Sequence, residues 1–203
     1  MRKKDFLKEK VIHVDIKSFD STEMIEAMRS MSFTARDTAR AADILNMMIK
    51  DKDCTIILCI AGSTSAAGCM QIYADMVKYN MIDVVVATGA AIVDMDFFEA
   101  LGFRHYKGSA TADDKKLRQL YIDRIYDTFI DEEQLQICDN TIKQIADNLP
   151  RRPYSSREFI KEMGKFLAKK KKAQRHKGTK YLCASVPLCL CAKGFPGSVR
   201  IRK

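Results

Sequence analysis

Apolar positions in the first hundred residues switch between helical spacing and short continuous runs. Residues 11–16 (V-I-H-V-D-I) alternate apolar and polar side chains and predict a short strand. Asp20 followed by Glu23 is a capping-box-like start for a helix to about residue 30, with Met24, Ile25 and Met28 on one face. A second helix is predicted over about residues 35–50, where Ala41, Ile44, Leu45 and Met48 recur at helical spacing. The pattern then changes. Residues 54–60 (C-T-I-I-L-C-I) and 81–87 (M-I-D-V-V-V-A) are apolar and β-rich, the mark of strands buried on both faces of a parallel sheet. A small-residue turn follows each, leading into helices that run to about residues 79 and 101. This βαβ grammar predicts an α/β fold with a doubly wound, mostly parallel sheet and helices on both faces.

Residues 113–130 and 132–148 read as two further helices, the second capped by Asp131 and stopped before Pro150. Ser155 with Glu158 is another capping-box signature, opening a helix that runs to the lysine cluster at 169–172. After Arg175 the character shifts: three cysteines, two of the four prolines, no acidic residue and no sustained period. No internal repeat is visible.

With 203 residues, 47% of them hydrophobic, the chain can bury a sizeable core as one large or two small domains. No apolar run approaches the roughly 20 residues of a membrane span. The M-R-K-K start has no apolar stretch behind it, so neither a membrane nor a secreted protein is expected, and the expected compartment is the cytoplasm. The net charge of +9 suggests a nucleic-acid partner until it is located: residues 165–203 hold 12 basic residues and no acidic ones, leaving 23 basic against 26 acidic before them. That basic end lacks an aromatic stacking platform or groove-reading motif, so nucleic-acid binding through it is a weak alternative. Cys54, Cys59, Cys69 and Cys138 lie in or beside apolar segments without C-x-x-C spacing and read as reduced thiols. Cys183, Cys189 and Cys191 near His176 offer one C-x-C pair and no second histidine, so no metal site is expected.

Both small-residue turns follow predicted parallel strands, at the end where open α/β sheets bind ligands and free backbone N–H groups converge. Gly62, Ser63, Thr64, Ser65 and Ala66 offer backbone donors and three hydroxyls with no bulky side chain, but neither G-x-G-x-x-G nor a phosphate-loop lysine. The segment reads as an anion or nucleotide loop, or as a tight corner that admits only small residues. Thr88, Gly89 and Ala90 form a second such turn, and the two would line one crevice. Asp94 and Asp96 read as partners of a helix dipole, or as acceptors for a ribose hydroxyl or a cationic amine. His105, in F-R-H-Y, reads as a structural histidine or as a base.

Together these segments resemble the N-terminal half of deoxyhypusine synthase, in particular the archaeal and bacterial deoxyhypusine synthase-like branch. The resemblance covers about residues 11–174 and rests on F-T-A-R (33–36), I-A-G-S-T-S-A-A-G (60–68), Y-N-M-I-D-V-V-V-A-T-G-A (79–90) and the stretch from Asp94 onward. It implies an NAD-containing α/β fold, incomplete here at its C-terminus, assembled as a homotetramer with active sites shared between subunits. It implies oxidation of spermidine with NAD and transfer of the aminobutyl group to an enzyme lysine as an imine. The group then passes to an acceptor amine, a lysine of the hypusine-bearing translation factor or a small diamine, and is reduced.

Carried over by position, Gly62, Ser63, Thr64, Ser65 and Ala66 match the family's first NAD loop, and Thr88, Gly89 and Ala90 its second. Asp94 falls where the family has a Glu facing both cofactor and polyamine, after a one-residue adjustment in the alignment beside it. Val93 stands where the eukaryotic enzymes have a second acid. The family's imine-forming lysine and most polyamine-binding acids lie in the C-terminal half, beyond the resemblance, so no catalytic residue is assigned. Residues 1–175 are expected to be the N-terminal part of the NAD-binding domain, and 176–203 an unrelated basic tail of the kind a disrupted reading frame near Arg175 gives. The leading reading is an aminobutyl transferase by descent that is inactive alone. The second is an inactive or regulatory paralogue that binds a full-length partner subunit.

Overall fold

The computed structural model describes residues 2–175, and the expected basic tail lies outside them. A short helix, α1 (Lys3–Phe6), precedes a helical hairpin of α2 (Thr22–Arg29) and α3 (Phe33–Lys50). Arg29 closes the hairpin, donating from Nε to Glu26 Oε2 at 2.7 Å and from Nη2 to Asp43 Oδ1 at 2.7 Å. The hairpin packs mostly on itself: α3 buries only Ala39, and Met24, Met31, Phe33, Ile44 and Met47 are exposed.

The fold is mixed α/β. β1 (Ile57–Ile60) and β2 (Val84–Ala87) pair in parallel, from Ile57 opposite Val84 to Ile60 opposite Ala87. Strand β1 begins later than the apolar run because Ile56 is tied to the start of β2: its N–H donates to Asp83 Oδ2 at 2.9 Å, and its carbonyl accepts from Asp83 at 3.0 Å. Each strand leads into π-helical backbone: Ser65–Cys69 before α4 (Met70–Lys78), and Ala90–Phe97 before α5 (Phe98–Ala100).

In-register partners of a parallel ladder share a face. Ile57, Val84, Cys59 and Val86 therefore point one way, and all four are exposed. The other face carries Leu58, Val85, Ile60 and Ala87, of which Ile60 is buried. The expectation that these strands are buried on both faces is corrected accordingly, because no described residue covers the first face.

Residues 113–130 are not one helix. After α6 (Asp114–Gln119) the chain turns at Tyr121, with φ 55°, into a hairpin of β4 (Ile122–Ile125) and β5 (Thr128–Asp131). Its two-residue turn starts at Tyr126, with φ 53°. β-Branched residues at 122, 125, 128 and 130 favour the pleated form once the helix stops. β5 also pairs with β3 (Tyr106–Lys107), giving the order β3-β5-β4.

Asp131 caps α7 (Glu132–Asp147) as read from the sequence, its carboxylate accepting from the N–H groups of Glu133 and Gln134. The Ser155–Glu158 box opens α8 (Ser156–Arg175): Glu158 Oε2 accepts from Ser155 N–H at 2.8 Å, and Ser155 Oγ accepts from Glu158 N–H at 3.2 Å. α7 lies across the Ala90–Phe97 turn and against α8. Phe97, Phe98, Leu101, Cys138, Met163 and Leu167 form the main core there.

Residues 11–16 do not form a strand. Residues 11–15 run as an extended strap, with Val11 N–H on His105 O at 2.9 Å and Val14 N–H on Gly68 O at 3.0 Å, and Ile16 opens a short 3₁₀ turn (Ile16–Ser18). The alternation places Ile12 outward, 79% exposed, and turns His13 inward. Gly68 is required where the strap crosses: its φ is 106°, and a Cβ would sit 3.1 Å from Ile12 O. Gly68→Ala is expected to cost about 1–3 kcal/mol, read as a lowered thermal midpoint of the full chain.

Candidate functional site

The two small-residue turns meet at the C-terminal ends of β1 and β2. A Cβ on Gly62 would lie 3.5 Å from Thr88 Oγ1 and 3.6 Å from the Ala90 Cβ, so the two turns stand about one side-chain atom apart there. Each is built by short-range bonding. Thr64 Oγ1 donates to Ala61 O at 3.0 Å, and Ser63 takes φ 81° to turn the chain. Thr88 Oγ1 accepts from Ala91 N–H at 3.3 Å, capping the turn that follows. Thr88, Gly89 and Ala90 are exposed, Gly62, Ser63 and Thr64 half-buried, and a Cβ on Gly89 would meet nothing within 4 Å. The result is an exposed junction lined by small residues.

Ser65 and Ala66 face the other way. Both are buried, and Ser65 Oγ has no hydrogen-bond partner. The carboxyl facing Ser65 is that of Asp96, itself 7% exposed, with Oδ1 unpartnered. Burial pushes Asp96 up to about 6; Ser65 opposes the rise, the Glu99 charge adds to it and His13 opposes it. Ser63 N–H points at Met95 Sδ, 3.2 Å away. Asp94 stands on the far side of the same turn. Partial burial raises its carboxyl, and the charge of Asp139 on α7 raises it further.

Behind the loops lies a buried clasp that short-range sequence patterns do not signal. Glu99 Oε2 accepts from His13 Nε2 at 2.8 Å, and Glu99 Oε1 from His105 Nδ1 at 2.7 Å. Arg104 approaches Oε2 at 3.4 Å. Burial penalises the Glu99 charge, but the bonds from His105 and His13 outweigh it and hold the carboxyl at about 2. Because an ionised carboxylate only accepts, His105 carries its proton on Nδ1 and His13 on Nε2. His105 is thus a fully buried structural residue, one of the two readings of it.

A separate open cleft of about 710 Å³, lined by Arg118, Tyr121, Asp123, Arg124, Glu132 and Gln136 among others, shares no residue with the loops. Burial pushes Asp123 up to about 6, and Glu132 beside it adds to the rise. No group of three or more possible metal ligands occurs among the described residues, and no helix there is long and apolar enough to cross a membrane.

The family model described as deoxyhypusine synthase matches residues 23–185. A deoxyhypusine synthase-like protein of Coxiella burnetii (strain RSA 493 / Nine Mile phase I) is 64% identical over 169 residues, 83% of this chain and 48% of the relative. One from Caulobacter vibrioides is 63% identical over 167 residues, 82% of this chain and 46% of the relative. A probable deoxyhypusine synthase 2 of Methanosarcina acetivorans is 35% identical over 169 residues, 83% of this chain and 49% of the relative. The chain spans about half the length of the curated relatives it matches.

Proposed function

Because this chain belongs to the deoxyhypusine synthase family, we propose that its two loops hold NAD for an aminobutyl transfer from spermidine to an acceptor amine. The observation that carries the reading is the close approach of Gly62 to the Thr88–Ala90 turn at the C-terminal ends of two adjacent parallel strands. A crevice there offers backbone N–H groups to a dinucleotide, and residues 62, 89 and 90 carry nothing larger than a methyl group. When bound, NAD supplies the acceptor and donor of hydride that opens and closes such a transfer. The hydroxyls of Ser63, Thr64 and Thr88 surround the crevice and orient what enters it. Asp94 is the acid that the resemblance assigns to both cofactor and polyamine. The acceptor is a protein lysine or a small diamine, and the imine-forming lysine is supplied by the family's other half. In the same reading the sheet is one part of a doubly wound domain, and the active protein is a homotetramer in the cytoplasm.

Gly89→Phe tests the crevice. A Cβ at 89 would meet no atom within 4 Å, so the fold should tolerate the substitution while the ring competes with the ligand for the space beside the turn. Titration of the full chain with NAD by calorimetry is expected to show saturable binding, weakened at least about tenfold by Gly89→Phe, or about 1.4 kcal/mol. Unchanged affinity in the variant, or no binding by the parent chain, would remove the loops as the cofactor site.

A further inference from the structure

The strap is attached by its polar side and turns its apolar side to solvent. Ile12, Val14 and Ile16 are exposed, while Val11, His13 and Asp15 between them are half-buried. Apolar burial therefore contributes little to the attachment, and directional bonds hold it instead. Upstream, Lys107 N–H donates to Glu9 O at 2.7 Å and Val11 N–H to His105 O at 2.9 Å. Downstream, the Lys17 ammonium pairs with the buried Asp75 of α4 and, at 2.7 Å, with Asp15.

Between those anchors the strap bonds to the backbone that follows each small-residue loop. Val14 N–H donates to Gly68 O at 3.0 Å, two residues past the first loop at 62–66. His13 Nε2 donates to Glu99 Oε2 at 2.8 Å, in the helix that closes the turn after the second loop. Two adjacent strap residues thus join the far end of one loop to the far end of the other. Nearer the crevice, Ser63 N–H reaches Met95 Sδ at 3.2 Å, a weaker tie because a thioether sulfur is a poor acceptor. His13 Nδ1 has no partner among the described residues, so the ring is fixed by its bond to Glu99.

We propose that His13 is a positioning residue for the two-loop crevice: by tying Glu99 to the strap beside Gly68, it sets the first loop at a fixed spacing from the second. This rests on the NAD reading above and deepens it, adding a residue that precedes the stretch 23–185 matched by the family model. His13 acts through Glu99 and Gly68 and touches no ligand. A dinucleotide that spans both loops binds best when their backbone N–H groups already stand at the right separation, because less ordering is then required on binding. Without His13, Glu99 keeps His105 at 2.7 Å and Arg104 at 3.4 Å, so the core beneath α7 and α8 stays in place.

The test uses the full chain and its His13→Ala, His13→Gln and Val14→Pro variants, titrated with NAD by calorimetry. His13→Ala is expected to weaken NAD about fivefold, a loss of the size that packed networks carry between sites. His13→Gln places an amide N–H about where Nε2 lies and should stay within about twofold of the parent. Val14→Pro removes the N–H that reaches Gly68 O and should weaken NAD in the same direction as His13→Ala. Hydrogen exchange without NAD reads the loop separately. Amides at 62–69 should exchange faster in His13→Ala and Val14→Pro and at the parent rate in His13→Gln, while those of α7 and α8 stay unchanged.

Three results overturn the proposal even if NAD binds: parent-like affinity in His13→Ala, a His13→Gln variant as weak as His13→Ala, or faster exchange spread evenly into α7 and α8. Failure of the parent chain to bind NAD overturns the dinucleotide reading instead, and removes the role of His13 toward a cofactor. If His13→Ala does not fold, Val14→Pro carries the comparison, and parent-like affinity and exchange in it overturn the proposal.

Discussion

Glu99→Ala is expected to be among the most damaging single changes in the described fold. It should lower the unfolding free energy by about 3–5 kcal/mol, as the loss of one partner from a buried ionic group does. The carboxylate, in α5, joins the strap at His13, 86 positions away, to His105, six residues further along the chain. Removing it leaves two imidazole N–H groups without an acceptor in a site where Glu99 and His105 are about 1% and 0% exposed. Urea denaturation of the purified chain measures the loss. A change under about 1 kcal/mol would mean that the clasp is incidental.

The pH dependence carries a sign that separates Glu99 from other acids. Its folded-state value of about 2 lies below the ordinary glutamate value of 4.5. Its stabilisation is therefore complete above about 4.5 and disappears as pH falls from there toward 2, amounting to about 3 kcal/mol. Asp96 has the opposite sense. With its carboxyl raised to about 6, the stability it supports is present below its ordinary value of 3.8 and declines as pH rises through 6. Glu99→Gln should flatten the acid limb, and Asp96→Asn the segment between about pH 4 and 6.

The contrast between these two acids shows what can be read from sequence and what cannot. Helices α2, α3, α7 and α8 were legible because their signals are local: helical spacing, Asp131 before Glu132, and Ser155 three residues before Glu158. The loops were legible for the same reason, small residues directly after apolar runs. The β4–β5 hairpin was not, because Leu117, Tyr121 and Ile125 keep a helical spacing, and the break at Tyr121 is a positive φ that no glycine announces. Asp94 and Asp96 were both visible, but which of them faces the loop depends on the π-turn, a backbone choice without a short-range signature. The clasp joins His13 to Glu99 across 86 positions, and pairings at that range are set by the tertiary fold.

The other large effect is expected in the association of the chain. A parallel sheet is ordinarily covered on both faces, and a two-stranded sheet alone is marginal in water. Among the described residues, Ile57, Val84, Cys59 and Val86 form a bare face, with Ile57 56% and Val86 53% exposed, and both strands keep an unpaired edge. Such a face with open edges favours pairing with another copy of the same chain. Sedimentation velocity at tens of micromolar is expected to show mostly dimers or larger species. Replacing Ile57 and Val86 together by Thr keeps the β-branched shape and adds a hydroxyl to each position, so the strands should persist while their apolar attraction falls. The double variant should shift the chain toward monomer by at least about tenfold in the association constant, or about 1.4 kcal/mol. A monodisperse parent chain, or a double variant that associates as strongly, would show that this face does not drive association. The exposed apolar residues of the α2–α3 hairpin would then be the next surface to change.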